Sequence, residues 1–422
     1  MTNREKERRS ALYGWSIVCT CFFINLYTNG AVQYGFTAFI EPIIREFGWS
    51  YAQISLAASI RGFEMGLLAP VAGLLVYRIG PRRLVLTGTF SIGLGLMLLS
   101  RVHTLPMFYV ACFTTSMGMG LTIGVVPMTV VAQWFRKKVS TATGIAVSGT
   151  ALGGLIVPLA TTLIDLYGWR TAMLILGIGM WALPLPLSFL LRNKPERYGC
   201  LPDGKIIDTD IPCQPIDPAE QQKTKPKIPL GRILTSATFW LITLPFTANL
   251  LVISAVITHV MPYFGSIGVS RSIASLFASA LPFCTILGRL GFGWLGDRYD
   301  RRRLTACAFG LTSLAILMFS NIASAGLWLV LPFIIIFGIG HGGIVIMTPV
   351  LVGGYFSREM FGTVLGFVMG TMTIGQILGP PFAGWVFDTR GSYQVAWFAL
   401  AGLAVISVGI VLAIPRERHF AG

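Results

Sequence analysis

The sequence predicts an all-α polytopic membrane protein whose twelve transmembrane helices form two pseudo-symmetric six-helix bundles. Three observations support this fold class: the composition, the length of the apolar segments and an internal repeat. Of the 422 residues, 54% are hydrophobic and 12% are charged, which is about half the charged fraction of a soluble domain. Apolar stretches recur along the whole chain, and about twenty such residues cross the roughly 30 Å hydrocarbon core of a bilayer.

Twelve predicted spans put both termini on the same side of the membrane, and the basic residues identify that side. Of the 32 lysines and arginines, 25 lie in the tails and in the connections after even-numbered spans, and five lie in the opposite connections. Because cytoplasmic segments carry the excess of positive charge, we expect a multi-pass protein of the cytoplasmic (plasma or inner) membrane with both termini in the cytoplasm. The net charge of +15 is therefore topological, and nucleic-acid binding is not expected. The predicted spans are 14–40, 51–77, 83–101, 106–135, 140–166, 169–191, 235–264, 272–296, 303–323, 326–355, 360–387 and 393–414.

Residues 193–232 differ in composition from the rest of the chain. They hold seven of the 23 prolines and six of the 17 acidic residues, a composition typical of a flexible linker. The predicted domains are therefore an N-terminal six-helix bundle at 1–192, a cytoplasmic linker at 193–232 and a C-terminal six-helix bundle at 233–422.

The two predicted bundles resemble each other in sequence. The aromatic pair at 134–135 returns at 355–356, an offset of 221 residues. The glycine-rich stretch at 144–158 returns at 366–380 with nearly the same offset. An offset held over several helices indicates an internal repeat. Repeats of this kind place a binding site near the bilayer midplane, between the halves.

Arg289 is the most informative side chain within the predicted spans. It precedes Asp297 by eight residues and so lies about 12 Å inside the end of its helix. A charge at that depth costs at least about 2.5–3.5 kcal/mol, so we expect Arg289 to face a cavity and to meet an anion there. Its planar donor fork matches a carboxylate. A structural ion pair or a carbonyl-capping role stays open, with Glu64 as the one clearly mid-span acid.

Glu64 and Arg61 are predicted to share one face of the second span because they are three residues apart. Two interpretations stay open for them. They form a structural pair, or Glu64 is a protonatable coupling residue that Arg61 tunes.

Four other polar residues within the spans are candidate substrate contacts. His341 titrates near neutrality, so it is suited to bind the substrate or to carry a proton, or it is packed against a carbonyl. Asn29, Asn249 and Gln376 are also candidates, although polar residues in spans often join helices. The sequence shows no catalytic Ser/His/Asp set, paired carboxylates or metal-type cysteine spacing. An enzyme, a bound metal and a cofactor are therefore not expected.

The stretch 293–302 has the form Gly-x-x-x-Asp-Arg-x-x-Arg-Arg, which resembles the cytoplasmic loop motif of the major facilitator superfamily. A first copy stands at 73–83, with Tyr77 where the family usually has Asp. The resemblance implies a conformational role for the motif and puts the charge contact of the first copy in doubt. The motif residues are Gly73, Arg78, Gly80, Gly293, Asp297 and Arg298.

Within the superfamily, the stretches 13–15, 34–36, 46–50 and 134–138 are similar to the monocarboxylate transporter and oxalate–formate antiporter branch. The resemblance implies that Arg289 is the substrate-binding arginine of the eighth span. It also implies that Gln33 and Tyr34 contact the carboxylate from the first span. Met372 replaces the antiporter's second basic residue, which implies a site for a single carboxylate. Thr285 replaces an Asp of the animal transporters, so proton coupling through that position is not expected.

The resemblance implies a secondary active transporter that moves a small organic monocarboxylate by alternating access as a monomer in the lipid bilayer. Its coupling partner would be protons or a counter-anion. One alternative is a proton-coupled exporter of drugs or another solute class, which would depend on buried carboxylates such as Glu64. Another is a transport-derived sensor that signals without flux.

Overall fold

The computed structural model describes residues 3–192, 195, 202–204, 230–269 and 271–415, and all regular structure within them is helical. The predicted linker at 193–232 lies almost entirely outside the described residues. The N-terminal helices are α1 (Asn3–Thr28), α2 (Phe36–Phe47), α3 (Tyr51–Arg78), α4 (Pro81–Ser100), α5 (Leu105–Thr122), α6 (Val125–Trp134), α7 (Val139–Leu152), α8 (Val157–Ala182) and α9 (Pro184–Ser188). The C-terminal helices are α10 (Leu230–Leu234), α11 (Ala237–Ser266), α12 (Arg271–Gly296), α13 (Arg301–Ser320), α14 (Ile322–Ala325), α15 (Val330–Tyr355), α16 (Phe361–Arg390) and α17 (Gln394–Ala413).

The twelve predicted spans are present in the described part of the chain. Nine described segments are long and apolar enough to cross a membrane. One of them, Val139–Ser188, holds two spans that separate at Gly168, where φ 77° and ψ 158° interrupt the helix. The helices α3 and α12, of 28 and 26 residues, are the second and eighth spans and bring the number to twelve. This arrangement confirms the predicted all-α fold.

The first and fourth predicted spans are less regular than the sequence indicates. The first continues from α1 into α2 through a π-helical segment, Asn29–Tyr34. There the Gly35 N–H donates to the Gly30 carbonyl at 2.7 Å, five residues back, and a Cβ on Gly35 would lie 2.6 Å from that oxygen. The fourth span is broken between α5 and α6 at Gly124, whose φ of 77° and ψ of −108° suit a glycine.

Glycines bring the two halves into close contact along two helix pairs, α3 with α16 and α7 with α12. A Cβ on Gly366 would lie 2.5 Å from the Ala69 carbonyl oxygen, and a Cβ on Gly144 would lie 2.8 Å from the Arg289 carbonyl oxygen. The two pairs correspond to each other in the internal repeat. The glycine-rich stretches therefore serve close helix packing between the halves.

The halves are also joined by hydrogen bonds at one end of the bundle, here called the basic end, which carries the connections 79–80, 135–138, 297–300 and 356–360. Asp297 accepts hydrogen bonds from the backbone N–H of Ser140 at 2.8 Å and of Thr141 at 3.0 Å, and from the Thr141 hydroxyl at 2.6 Å. Both partners lie in the first turn of α7, where the helix dipole favours a negative charge. We call these contacts the Asp297 latch.

Tyr77 forms the corresponding contact in the first copy of the motif. Its hydroxyl donates to the Arg358 carbonyl at 2.9 Å and accepts from the Gly362 N–H at 2.8 Å. Gly362 lies in the first turn of α16, so this contact repeats the Asp297 latch with a neutral phenol. The contact between the halves is therefore kept at this position, although the negative charge that the family usually has there is absent.

We expect Tyr77→Phe to weaken the closure of the basic end moderately, because the substitution removes two hydrogen bonds worth together about 1–3 kcal/mol. Spin labels at the exposed positions Arg83 and Arg303 would report the distance between the halves. A longer-distance population should grow in Tyr77→Phe and stay unchanged in Tyr299→Phe, whose side chain is exposed at the same end. Identical distance distributions in both variants would contradict a latch at Tyr77.

Candidate functional site

Among the described residues, the close contacts between the halves lie at the basic end and near mid-helix, and we call the space between the halves toward the opposite end, the far end, the cleft. Midway along α3, a Cβ on Gly66 would lie 2.6 Å from Thr373 of α16. One turn closer to the far end, a Cβ on Gly62 would have no neighbouring atom within 4 Å. Gly379, beyond Thr373 on α16, packs against Leu251 in its own half. The described contacts between the halves thus end near mid-helix.

Arg289 lies where α12 packs against α7, at the mid-helix end of the contacts between these two helices. Its side chain is 8% exposed. The Nη1 group donates to the Val147 carbonyl at 2.8 Å and to the Thr150 hydroxyl at 2.6 Å, both in the opposite half. The buried Nε group has no hydrogen-bond partner. One nitrogen therefore caps a carbonyl, as one alternative predicted, and no further acceptor for the guanidinium is found among the described residues.

No acid pairs with Arg289 among the described residues. The two ion pairs found there, Arg45–Glu41 and Arg170–Glu46, lie at the far end. A cation in the middle of a membrane protein usually has a partner or faces a water-filled cavity. Arg289 therefore retains an uncompensated positive charge beside the cleft.

Glu64 is buried, and neither of its carboxyl oxygens has a hydrogen-bond partner. One turn farther along α3, Leu68 contacts the position where Gly120 of α5 would carry a Cβ. Glu64 shares this flank of α3, so its side chain is directed toward α5 and does not reach Arg289. The side chain of Arg61 lies outside the described residues, so its predicted pairing with Glu64 stays a prediction.

The π-helical segment Asn29–Tyr34 contains the three predicted residues of the first span. The Tyr34 hydroxyl lies within electrostatic range of Arg289, and Gln33 is exposed. Asn29 is partly exposed, but its amide donates to the Asn25 carbonyl at 3.0 Å within its own helix. π-Helical turns are rare and often occur at functional sites, and this one brings Tyr34 toward the guanidinium.

His341 and Gln376 lie in the C-terminal half. His341 on α15 is partly exposed, and its imidazole lies within electrostatic range of Arg289. Gln376 on α16 is exposed and lies two turns beyond Met369, whose side chain meets Gly124 of the opposite half. Because residues seven apart share a helix face, Gln376 faces the same cleft.

Asn249 is not brought to the surface of the cleft. It has no exposed surface on α11, and both atoms of its amide group lack hydrogen-bond partners. It lies between Phe246 and Ile253, which belong to the apolar core of the C-terminal half.

The residues of the loop motif lie at the basic end, away from the cleft. Gly73 and Gly293 approach the backbone of the opposite half. Gly80 begins α4 with a φ of 90°. Arg78 is exposed, and the Arg298 guanidinium lies 3.7 Å from the centre of the Trp294 ring. These positions suit a part in closing the basic end.

Sequence reasoning missed two features of the site, namely the acceptors of Arg289 and the breaks in the helices that surround it. Nothing in the pattern around Thr150 distinguishes it from other threonines in the spans. The pair Gly153-Gly154, which begins a 3-10 turn at Gly153–Ile156, and Gly124 are signals that would have indicated the breaks. The described residues contain no group of three or more His, Cys, Asp or Glu side chains suited to a metal ion.

Comparison with protein families shows a match to the Major Facilitator Superfamily over residues 18–274 and 252–422. The chain is 28% identical to monocarboxylate transporter 12 of Xenopus laevis over 418 residues, which cover 96% of this chain and 89% of that protein. It is 24% identical to human monocarboxylate transporter 7, over 96% of this chain and 86% of that protein.

Solved structures show the same fold at low sequence identity. The transporter FucP in its outward conformation superposes with a TM-score of 0.72 at 15% identity, covering 96% of this chain and 100% of that chain. The proton:xylose symporter XylE superposes with a TM-score of 0.72 at 14% identity, covering 99% of this chain and 98% of that chain.

Proposed function

The chain belongs to the Major Facilitator Superfamily, and from that premise we propose that it moves a small organic monocarboxylate across the cytoplasmic membrane by alternating access. The observation that carries this proposal is Arg289, a cation in the cleft whose Nε has no acceptor and which has no described acid beside it. The names of the relatives, which are monocarboxylate transporters, support the substrate class.

In this proposal the substrate carboxylate pairs with Arg289 of the C-terminal half. Tyr34 and Gln33 approach the substrate from the N-terminal half, and His341 lies beside it. Pairing neutralises the guanidinium and so lowers the cost of closing the cleft over it. The buried Met372 supplies no second cation, which favours one carboxylate over two. Gln376 and Asn29 line the cleft as weaker contacts, and Asn249 takes no direct part in this conformation.

Alternating access would exchange the observed conformation for one that is open at the basic end. The excess of lysine and arginine at the basic end favours a cytoplasmic location for it, so the cleft would face outward here. The Asp297 and Tyr77 contacts must then break in each cycle, while the two six-helix halves, 1–192 and 233–422, rock against each other as a monomer about the bound anion.

Glu64 is the candidate for proton coupling. A carboxylate without a partner is costly in this environment, and a proton on Glu64 would remove that cost. We expect Glu64→Gln to reduce uptake driven by a pH gradient by roughly tenfold or more and to leave counterflow nearly unchanged. Glu41→Gln, at the exposed far end, is the matched control. Full pH-driven uptake by Glu64→Gln would exclude Glu64 as the coupling residue.

The substrate class is tested by counterflow in proteoliposomes with labelled lactate, pyruvate, acetate and benzoate, alongside a panel of cationic drugs. We expect at least one monocarboxylate to exchange and to be displaced by other monocarboxylates, with no effect of the drugs. Exchange of drugs without any exchange of carboxylates would overturn the proposal and favour an exporter.

A further inference from the structure

We propose that Thr150 is a positioning residue for Arg289 and that it makes the carboxylate site conditional on closure of the basic end. The inference rests on the proposed function, because it assigns a second residue to the same anion site. Thr150 lies in α7 of the N-terminal half, and Arg289 lies in α12 of the C-terminal half. The arginine thus comes from one half of the protein, and its orientation is set by the other half.

The hydrogen bonds around Thr150 form a closed triangle. The Arg289 Nη1 group donates to the Thr150 hydroxyl at 2.6 Å and to the Val147 carbonyl at 2.8 Å. The Thr150 hydroxyl in turn donates its single proton to the same Val147 carbonyl at 2.8 Å. Because that proton is engaged, the hydroxyl oxygen presents a lone pair to the guanidinium. Thr150 is therefore held as an acceptor and fixes the direction of Nη1.

Fixing Nη1 determines which edge of the guanidinium remains for an anion. The Nε–H bond and one N–H bond of Nη2 are parallel and lie on the same edge of the planar guanidinium. Nε is buried without a partner, and the hydrogen bonds found for Arg289 among the described residues both come from Nη1 and none from Nη2. Two parallel N–H donors match the two oxygens of one carboxylate. The substrate is thus expected on the Nε/Nη2 edge while Nη1 stays tied to the N-terminal half.

The same geometry makes the site depend on conformation. On the basic-end side of Thr150, α7 and α12 are in contact at Gly144 and Gly293. The Cα atom of Gly293 would lie 3.5 Å from a Cβ on Gly144. Opening the basic end must separate α7 from α12 there, which removes the acceptors of Nη1. The guanidinium then gains rotational freedom, and the carboxylate loses a preorganised partner. A substrate bound more tightly in one conformation shifts the equilibrium toward it, so the opening at the basic end favours release.

The test compares Thr150→Val, which keeps the side-chain shape and removes the acceptor, with Thr150→Ser, which keeps the acceptor. The probe is the monocarboxylate that exchanges fastest in the counterflow panel. We expect Thr150→Val to raise the KM for uptake from the far side by about tenfold. This is the lower end of the effect of losing a hydrogen bond to a charged group, because Nη1 keeps the Val147 carbonyl as an acceptor. The kcat should stay within about twofold, and Thr150→Ser should restore the KM.

Transport from the basic side separates positioning from a general structural effect. In vesicles of inverted orientation, Thr150→Val should leave the KM near the wild-type value, because the triangle is already broken when that side is open. Ser148→Ala is the matched control on α7, since the one hydrogen bond of the Ser148 hydroxyl to described residues goes to the Gly144 carbonyl of its own helix. This control should behave as wild type from both sides.

The outcomes distinguish this inference from the proposed function. If Arg289→Gln abolishes carboxylate binding and Thr150→Val binds as wild type, the positioning role is wrong and the anion site stands. An equal rise in KM from both sides would also overturn the positioning role. If Arg289→Gln binds carboxylate as wild type, the proposed function itself fails.

Discussion

Arg289→Ala is expected to abolish carboxylate transport, with uptake reduced roughly 100-fold or more, since a buried charge-assisted pair contributes about 3–5 kcal/mol when one partner is removed. The expectation follows from the isolation of this cation. Its Nε has no acceptor, and no described acid lies close enough to replace the substrate. The measurement is initial uptake of the labelled monocarboxylate into proteoliposomes, normalised to the amount of reconstituted protein.

Arg289→Lys should recover little of this activity. An ammonium group keeps the charge but lacks the planar fork that offers two parallel hydrogen bonds. The matched control is Arg45→Ala, which removes an arginine from an exposed pair at the far end and should transport as wild type. Uptake by Arg289→Ala within a few-fold of wild type would show that the substrate binds elsewhere.

Asp297→Ala is expected to have the second largest effect, because it opens the basic end. The substitution removes three hydrogen bonds to Ser140 and Thr141 together with a negative charge at the start of α7. Hydrogen bonds to a charged acceptor contribute about 1.5–3 kcal/mol each when buried. Because Asp297 is partly exposed, we expect a total of about 2–4 kcal/mol, enough to change the ratio of the two conformations by more than tenfold.

The same spin-label pair at Arg83 and Arg303 measures this change. Uptake should fall about tenfold or more, because the state open at the far end is less populated. Asp300→Ala is a close control. Asp300 lies in the same connection and also accepts two backbone hydrogen bonds, but both come from α13 in its own half. A shift in the distance distribution for Asp300→Ala as large as for Asp297→Ala would contradict a specific latch.

Much of the fold could be predicted because a bilayer restricts the possibilities severely. Span length follows from the hydrocarbon thickness, and the internal repeat predicts how the halves pack. Arg289 could be singled out because a charge in an apolar helix is costly whatever surrounds it. Asp297 was identified by its motif, and the structure adds the N–H groups that it accepts from. The sequence left the contact at Tyr77 in doubt, and the structure shows that a neutral phenol keeps it.

Other parts of the site depend on packing that no local pattern encodes. Thr150 contacts Arg289, although the two are 139 residues apart in sequence. Its role therefore depends on how the two halves approach each other. The π-helical turn packs at Gly30 against Gly153, which lies in a different span. Glu64 could be recognised as a mid-span acid, but its direction toward α5 is set by the rotation of α3 about its axis.

Equilibrium binding tests the central claim most directly, because it separates recognition of the anion from all later steps of transport. The measurement is saturation binding of the labelled monocarboxylate to purified wild-type protein and to Arg289→Gln, with thermal melting to establish that both are folded. We expect saturable one-site binding to the wild type that other monocarboxylates displace, and no saturable binding to folded Arg289→Gln. Saturable binding with the same Kd in both proteins would contradict it.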